Sequence, residues 1–191
     1  MTDYAEINDA LTSGGVILLP TETVYGLACS AQDPQAVEKI YAIKGRDFEK
    51  PLAVCVQNID EAQKFGIFEP KALELAKRYW PGSLTIIVEA TDNPAVNAKC
   101  LSKLDDKLTI AFRCPDASWR EHLTGPLALT SANRTGEKEC VSYAQGLKEF
   151  ADEIDASLST DVDLSASPST IVSTLNGQIE ILRQGALEVH L

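Results

Sequence analysis

The chain is poor in the residues from which most metal centres and nucleophilic active sites are built. Histidine occurs only at His122 and His190, which argues against a histidine metal site or a triad with a histidine base. The five cysteines (Cys29, Cys55, Cys100, Cys114 and Cys140) are odd in number and scattered, with no Cys-x-x-Cys pair. They read as reduced thiols of a cytoplasmic protein, and neither a zinc site nor a disulfide framework is expected. No apolar run approaches the roughly 20 residues that cross a bilayer, so no membrane association is expected. The first residues lack the basic region and apolar core of a secretory signal. There is no Walker loop and no Gly-x-Gly-x-x-Gly, so any nucleotide is held in another way. Cations are scarce as well. Seventeen Lys and Arg stand against 28 Asp and Glu, a formal net charge of −11, and proteins that wrap duplex nucleic acid show a basic face instead.

What is present is the composition of a globular domain. Hydrophobic residues make up 45% of 191, enough for a real core, and residues 1–191 are expected to form one domain. Helical spacing of Tyr4, Ile7, Ala10 and Leu11 predicts a helix over about 2–13, stopped by Gly14-Gly15. Val16 to Leu19 reads as a strand buried on both faces, followed by the hydroxyl-rich segment Pro20 to Leu27. Asp33-Pro34 opens a helix as N-cap and first-turn proline. Strands are expected at 52–56, 84–88, 108–113, 127–130, 154–158, 170–173 and 178–182. Helices are expected from Asp60, over 69–79, near 118–122 and over 142–150. Asn176-Gly177 predicts a hairpin turn, and 89–107 shows no clear period. Six acids and no cation between Glu149 and Asp163 read as a solvated surface. Helices alternating with short apolar strands predict a mixed α/β sheet.

Against the acidic background, Lys44-Gly-Arg46 with Lys50 puts three cations within seven residues. Gly45 and Pro51 place them on a turn, where several cations converge on one anion and Arg offers a planar fork. Alone, the stretch reads as a solvated turn neutralised by Asp47 and Glu49. Three other polar segments adjoin expected core strands: Thr21 to Tyr25, Thr130 to Asn133, and Ser169-Thr170. Arg113 and Arg183 sit at strand ends. Loops at strand ends are where open α/β sheets bind ligands. Cations and hydroxyls without a histidine or cysteine base suit a polyanion such as a nucleoside triphosphate, whose transfer chemistry needs positioning and charge neutralisation. Taken singly, Ser131-Ala132-Asn133 reads as an Asx turn, Thr23 as strand propensity, and Arg113 equally as a salt bridge or an anion contact.

Together the segments are specific. Pro20-Thr-Glu-Thr-Val-Tyr-Gly-Leu27, Lys44-Gly-Arg46 with Lys50-Pro-Leu52, Trp80-Pro-Gly-Ser-Leu-Thr85, the strand ending in Arg113, Ser131-Ala-Asn133 with Gly136, Pro168-Ser-Thr170 and Leu182-Arg183 occur in the order found in the YrdC/Sua5 family, which the chain resembles over nearly its whole length. The resemblance implies a YrdC-like α/β domain, a twisted mixed parallel/antiparallel sheet with flanking helices and a cationic concave pocket. It implies a reaction joining L-threonine, bicarbonate and ATP, with Mg2+ accompanying ATP, to give L-threonylcarbamoyl-AMP and pyrophosphate. A downstream transferase complex of the TsaD, TsaB and TsaE type then modifies tRNA (t6A37), with direct tRNA binding weak or transient.

Carried over by motif, Lys44 and Arg46 are the catalytic cations. ATP is implied at Lys44, Arg46, Lys50, Thr85, Ser131, Asn133 and Arg183. Threonine is implied at Thr23, Arg113, Thr130, Ser169 and Thr170, and no protein metal site is implied. Departures from the family pattern are Lys50, Cys55 where relatives often carry histidine, and Thr135 before Gly136. No second domain is expected after residue 191. Two other readings use the same concavity: an RNA-binding or ribosome-maturation protein, and a nucleotide-binding paralogue without synthase activity.

Overall fold

A computed structural model of the chain describes residues 4–47, 49–159 and 164–190. In chain order the elements are α1 (Tyr4–Thr12), β1 (Ile17–Pro20), β2 (Tyr25–Ser30), α2 (Pro34–Lys44), β3 (Ala53–Cys55), α3 (Ile59–Ala62), β4 (Gly66–Ile67), α4 (Pro70–Tyr79) and β5 (Leu84–Ala90). There follow β6 (Leu101–Leu104), β7 (Lys107–Arg113), β8 (Leu127–Ser131), α5 (Tyr143–Phe150), β9 (Ala156–Ser157), β10 (Thr170–Ser173) and β11 (Glu180–Arg183). The strands form one mixed sheet in the order β11-β10-β5-β7-β3-β8-β2-β1-β9, with β4 on β5 and β6 on β7. β10 with β5, β3 with β7 and β1 with β9 run parallel; the other pairs are antiparallel.

Local chemistry sets most boundaries. Asp33 caps α2, its Oδ1 accepting from the backbone N–H of Gln35 (2.9 Å) and Ala36 (3.2 Å). α2 ends at Gly45, whose φ of 58° is costly for a residue with a Cβ; the N–H of Gly45 bonds to Ala42 O and that of Arg46 to Tyr41 O. The cap of α3 is Asn58, not Asp60, because Asn58 is extended and its Oδ1 accepts from Glu61 N at 2.9 Å. Asn176 and Gly177 both take positive φ, and the N–H of Gln178 returns to Leu175 O, the turn those two residues predict.

Three strands lie where none was expected: β2, β6 and the two-residue β4, which pairs with the far end of β5. β2 falls within and after the hydroxyl-rich segment and is pinned between β1 and β8. β6 falls in the stretch without period. It pairs with β7 through a two-residue turn at Asp105 and Asp106, both at positive φ. The described acids of the expected acidic surface, Glu149, Asp152, Glu153 and Asp155, are all exposed, and three of them also make contacts. Glu149 and Glu153 both pair with Arg134, and Asp155 accepts from Val16 N at 2.8 Å. Asp161 and Asp163 lie outside the described residues, as do Thr2 and Phe48.

The two faces of the sheet are covered unequally. On one, α2, α4 and α5 bury Val37, Ile40, Tyr41, Leu75 and Phe150 against Leu18, Leu27, Val54, Ile86, Phe112 and Val172. On the other, α1 and the 3-10 turn at Ser118–Glu121 bring Ile7, Leu11 and Trp119 onto Ile17, Leu19, Ala28, Cys55, Leu127 and Leu129. Side chains alternate along a strand, so Gly26, Ala53, Thr85, Arg113 and Ser131 reach this second face too. There they line an open cavity instead of packing beneath a helix.

Candidate functional site

The cavity has a volume of about 180 Å³ and is bounded by the strand-end loops. Its cations come from three remote places in the chain: Arg46 after α2, Arg113 at the end of β7 and Arg183 at the end of β11. Its hydroxyls are Thr21, Thr85, Thr130, Ser131 and Ser169, with Glu139 at the margin.

Arg113 stands directly opposite Thr85 in the β5–β7 register. Its Nη2 donates to Thr23 Oγ1 (2.6 Å), Glu22 Oε1 (2.9 Å) and Thr21 Oγ1 (3.4 Å). The loop between β1 and β2 holds these acceptors in place through its own hydroxyls. Thr21 Oγ1 lies 2.7 Å from Thr23 Oγ1 and donates to Val24 O at 2.7 Å. Glu22 Oε2 and Arg113 Nε are buried without a hydrogen-bond partner. Leaving such groups unsatisfied costs about 1–3 kcal/mol each, and more for charged groups.

Across the cavity, Arg183 donates from Nε (3.1 Å) and Nη2 (2.8 Å) to Ser169 O, and from Nη2 to Ser169 Oγ (3.2 Å). Ser169 Oγ in turn lies 2.9 Å from Thr85 Oγ1. Desolvation, then repulsion from Arg113, pull Arg183 below the ordinary guanidinium value, so the two arginines feel each other. Arg46 is fixed by Nε to Lys50 O and Nη2 to Pro51 O, both 3.1 Å.

Seven of the twelve residues singled out in the sequence line this cavity: Arg46, Thr85, Arg113, Thr130, Ser131, Ser169 and Arg183. Five do not. Lys44 is no loop residue; it ends α2, is 3% exposed, and donates to Ser131 O (2.5 Å), Asn133 O (2.6 Å) and Asn133 Oδ1 (3.0 Å). Burial, then Arg46, lower its pKa to about 8. Asn133 faces a neighbouring groove of about 590 Å³ that shares Glu139 with the cavity. Thr23 is buried behind Arg113. Thr170 shares the parity of Val172, so it faces the helix-covered side, where its Oγ1 donates to Leu187 O (2.5 Å). Lys50 is exposed.

Glu139 went unidentified, because nothing in its charged run sets it apart, and Thr21 was picked out only as part of the segment Thr21 to Tyr25. Cys55 is buried in the cluster that holds Trp119 and Leu127, directly opposite Arg113 in the β3–β7 register, and burial pushes its thiol pKa up. Among the described residues no group of three or more His, Cys, Asp or Glu side chains is placed to hold a metal ion. No helix among them is long and apolar enough to cross a membrane.

A mixed sheet with three arginines and a row of hydroxyls around one uncovered hollow defines an α/β protein built to bind anions. The chain belongs to the Sua5/YciO/YrdC family, whose model, described as telomere recombination, matches residues 9–185. It is 32% identical over 191 residues to the threonylcarbamoyl-AMP synthase of Pseudoalteromonas translucida, covering 94% of this chain and 98% of that one. The crystal structure of P. abyssi Sua5 complexed with L-threonine superposes with a TM-score of 0.87 at 28% identity over 96% of this chain. This chain spans about half of that longer one, 54%. E. coli YciO shares the fold, with a TM-score of 0.84 at 22% identity, covering 97% of this chain and 90% of that one.

Proposed function

We propose that the protein is an L-threonylcarbamoyladenylate synthase, converting L-threonine, bicarbonate (as CO2) and ATP into threonylcarbamoyl-AMP and pyrophosphate for threonylcarbamoyl modification of tRNA. The observation that carries this reading is the convergence of Arg46, Arg113 and Arg183 on one hydroxyl-lined cavity in a chain of this family. The threonine amine captures CO2 as a carbamate. A carbamate oxygen then attacks the α-phosphorus of ATP, the new O–P bond forming as the bond to pyrophosphate breaks. Both partners are anions, so the protein's task is to cancel their repulsion and align them.

Arg46 and Arg183 hold the triphosphate, with Thr85 and Ser131 beside it. Arg113, Thr130 and Ser169 receive the amino acid. The reacting ends meet in the cavity, and the rest of the nucleotide extends toward the groove that shares Glu139. Lys44 and Asn133 act from behind the wall by holding the Ser131 loop, and Thr23 by orienting Arg113. Mg2+ enters on the phosphates of ATP, which suits its preference for phosphate and water oxygens. Removing one charge-assisted contact to the transition state costs about 2–4 kcal/mol. The product is labile and passes in the cytoplasm to a tRNA threonylcarbamoyl transferase complex of the TsaD, TsaB and TsaE type. The test is pyrophosphate release from ATP, expected only when threonine and bicarbonate are both present. Release that is indifferent to threonine sinks the assignment.

A further inference from the structure

We infer that Glu139 is the protein's contact for the Mg2+ that accompanies ATP, and that it makes the site take the metal complex of the nucleotide in preference to the bare polyanion. The inference rests on the functional reading above and adds to it a residue and a selectivity.

Among the described residues, Glu139 is the one acid that lines the cavity, and it lines the adjoining groove as well. Its carboxylate forms no hydrogen bond and no ion pair with any described residue, and its oxygens are not shut away from solvent. The backbone beside it, by contrast, is held. Cys140 N donates to Ala132 O at 2.8 Å, Tyr25 N to Cys140 O at 2.9 Å, and Asn133 Nδ2 to Glu137 O at 2.8 Å. The fold thus fastens the chain on both sides of a carboxylate that it leaves unpartnered. The other two acids of the groove differ: Glu149 is paired with Arg134, and Glu137 does not reach the cavity.

That placement is costly for a bare triphosphate. Arg46 and Arg183 are the cations proposed for the phosphates, and Glu139 stands near enough for Lys44 and Arg183 to feel its charge, less in each case than burial and a neighbouring arginine. A negative side chain there repels the phosphates and subtracts from the pull of the arginines. A divalent cation between carboxylate and phosphate turns the repulsion into two attractions. Mg2+ suits the place, because it takes oxygen ligands, keeps several waters and is commonly held through one or two carboxylates together with substrate phosphates. No three His, Cys, Asp or Glu side chains converge on a metal position among the described residues. The chain there offers no cage of its own, and one open carboxylate is what the shared arrangement requires of the protein.

Glu139→Gln keeps the shape of the side chain and removes its charge. If Glu139 takes the metal, the variant binds ATP roughly tenfold more weakly in excess Mg2+ and about two- to fivefold more tightly in EDTA, where only the repulsion is lost. If Glu139 is a solvated surface acid, the variant binds both forms as well as or better than before. Calorimetric titration with ATP under the two conditions, without threonine or bicarbonate so that nothing turns over, separates them. Because Glu139 also borders the groove, 2′-deoxy-ATP is titrated in the same way to detect a carboxylate that serves a ribose hydroxyl instead.

Wild-type protein is expected to bind ATP and 2′-deoxy-ATP at least about tenfold more tightly in Mg2+ than in EDTA, and Glu139→Gln to lose most of that preference for both. A wild type that binds ATP equally in Mg2+ and in EDTA overturns the inference even if the variant does not fold, and leaves the synthase reading standing. So does a folded variant with undiminished preference for Mg2+, or one whose loss is seen with ATP and not with 2′-deoxy-ATP. A wild type that binds ATP in neither condition removes the synthase reading itself.

Discussion

Lys44 shows how far a side chain's burial changes what its charge is for. At the surface a lysine is a mobile cation; here three oxygens of residues 131 and 133 surround its Nζ, and burial and Arg46 bring its pKa from 10.5 to about 8. The charged form supplies three donors to three acceptors, and the neutral amine has one fewer. Activity should therefore fall as pH rises through about 8, when the Ser131 loop loses its anchor. Stability should move the other way. The folded chain releases this proton near pH 8 and the unfolded chain only near 10.5, so between those values the unfolded state holds more protons and folding gains as pH rises. Below pH 8 both states are charged, and the full cost of the buried ammonium is present. A pH–rate profile measured beside urea midpoints checks both limbs. Lys44→Met is expected to abolish the descending limb at reduced activity. A wild-type rate that stays flat to about pH 9.5 contradicts the anchoring role.

Elements with strong local signals were legible in the sequence, and those defined by their neighbours were not. Asp33-Pro34, Gly45 and Asn176-Gly177 each require a particular backbone geometry, and each adopts it. β2 was hidden because the hydroxyls of Thr21 and Thr23 before it look like a loop. It is a strand because β1 and β8 pair with it on both sides. β6 likewise exists only as the partner of β7. The site followed the same division. Arginines at strand ends could be picked out one by one, whereas which of Thr21 and Thr23 reaches the cavity, or which face Thr170 takes, depends on register.

Gly185 gives an element-scale prediction. A Cβ there would lie 2.2 Å from Pro168 O and 2.4 Å from Ser169 C, both backbone atoms that cannot swing aside. Gly185 N also donates to Thr170 Oγ1 at 3.0 Å, fastening the chain after β11 to the first residue of β10. Gly185→Ala should destabilise the fold by about 1–3 kcal/mol. It should also lower activity by displacing Ser169, the acceptor for Arg183. Urea unfolding and turnover measured together check this, and an unchanged midpoint with unchanged turnover rejects it.

Over the whole molecule, the charge distribution matters more than its sum. At −11 the protein repels polyanions at a distance, yet the uncovered end of one sheet face gathers three arginines from chain positions 46, 113 and 183. Low-dielectric walls concentrate their field within the hollow. The asymmetry of the sheet creates that hollow: α2, α3, α4 and α5 pack on one face, while α1 and a short 3-10 turn cover only part of the other. A crystal structure of the protein with L-threonine and α,β-methylene ATP tests this most directly. Phosphates are expected at Arg46 and Arg183, and the amino acid at Arg113, in the same cavity. Ligands bound elsewhere, such as in the cavity bordered by Trp80, Pro81 and Arg120, would contradict it.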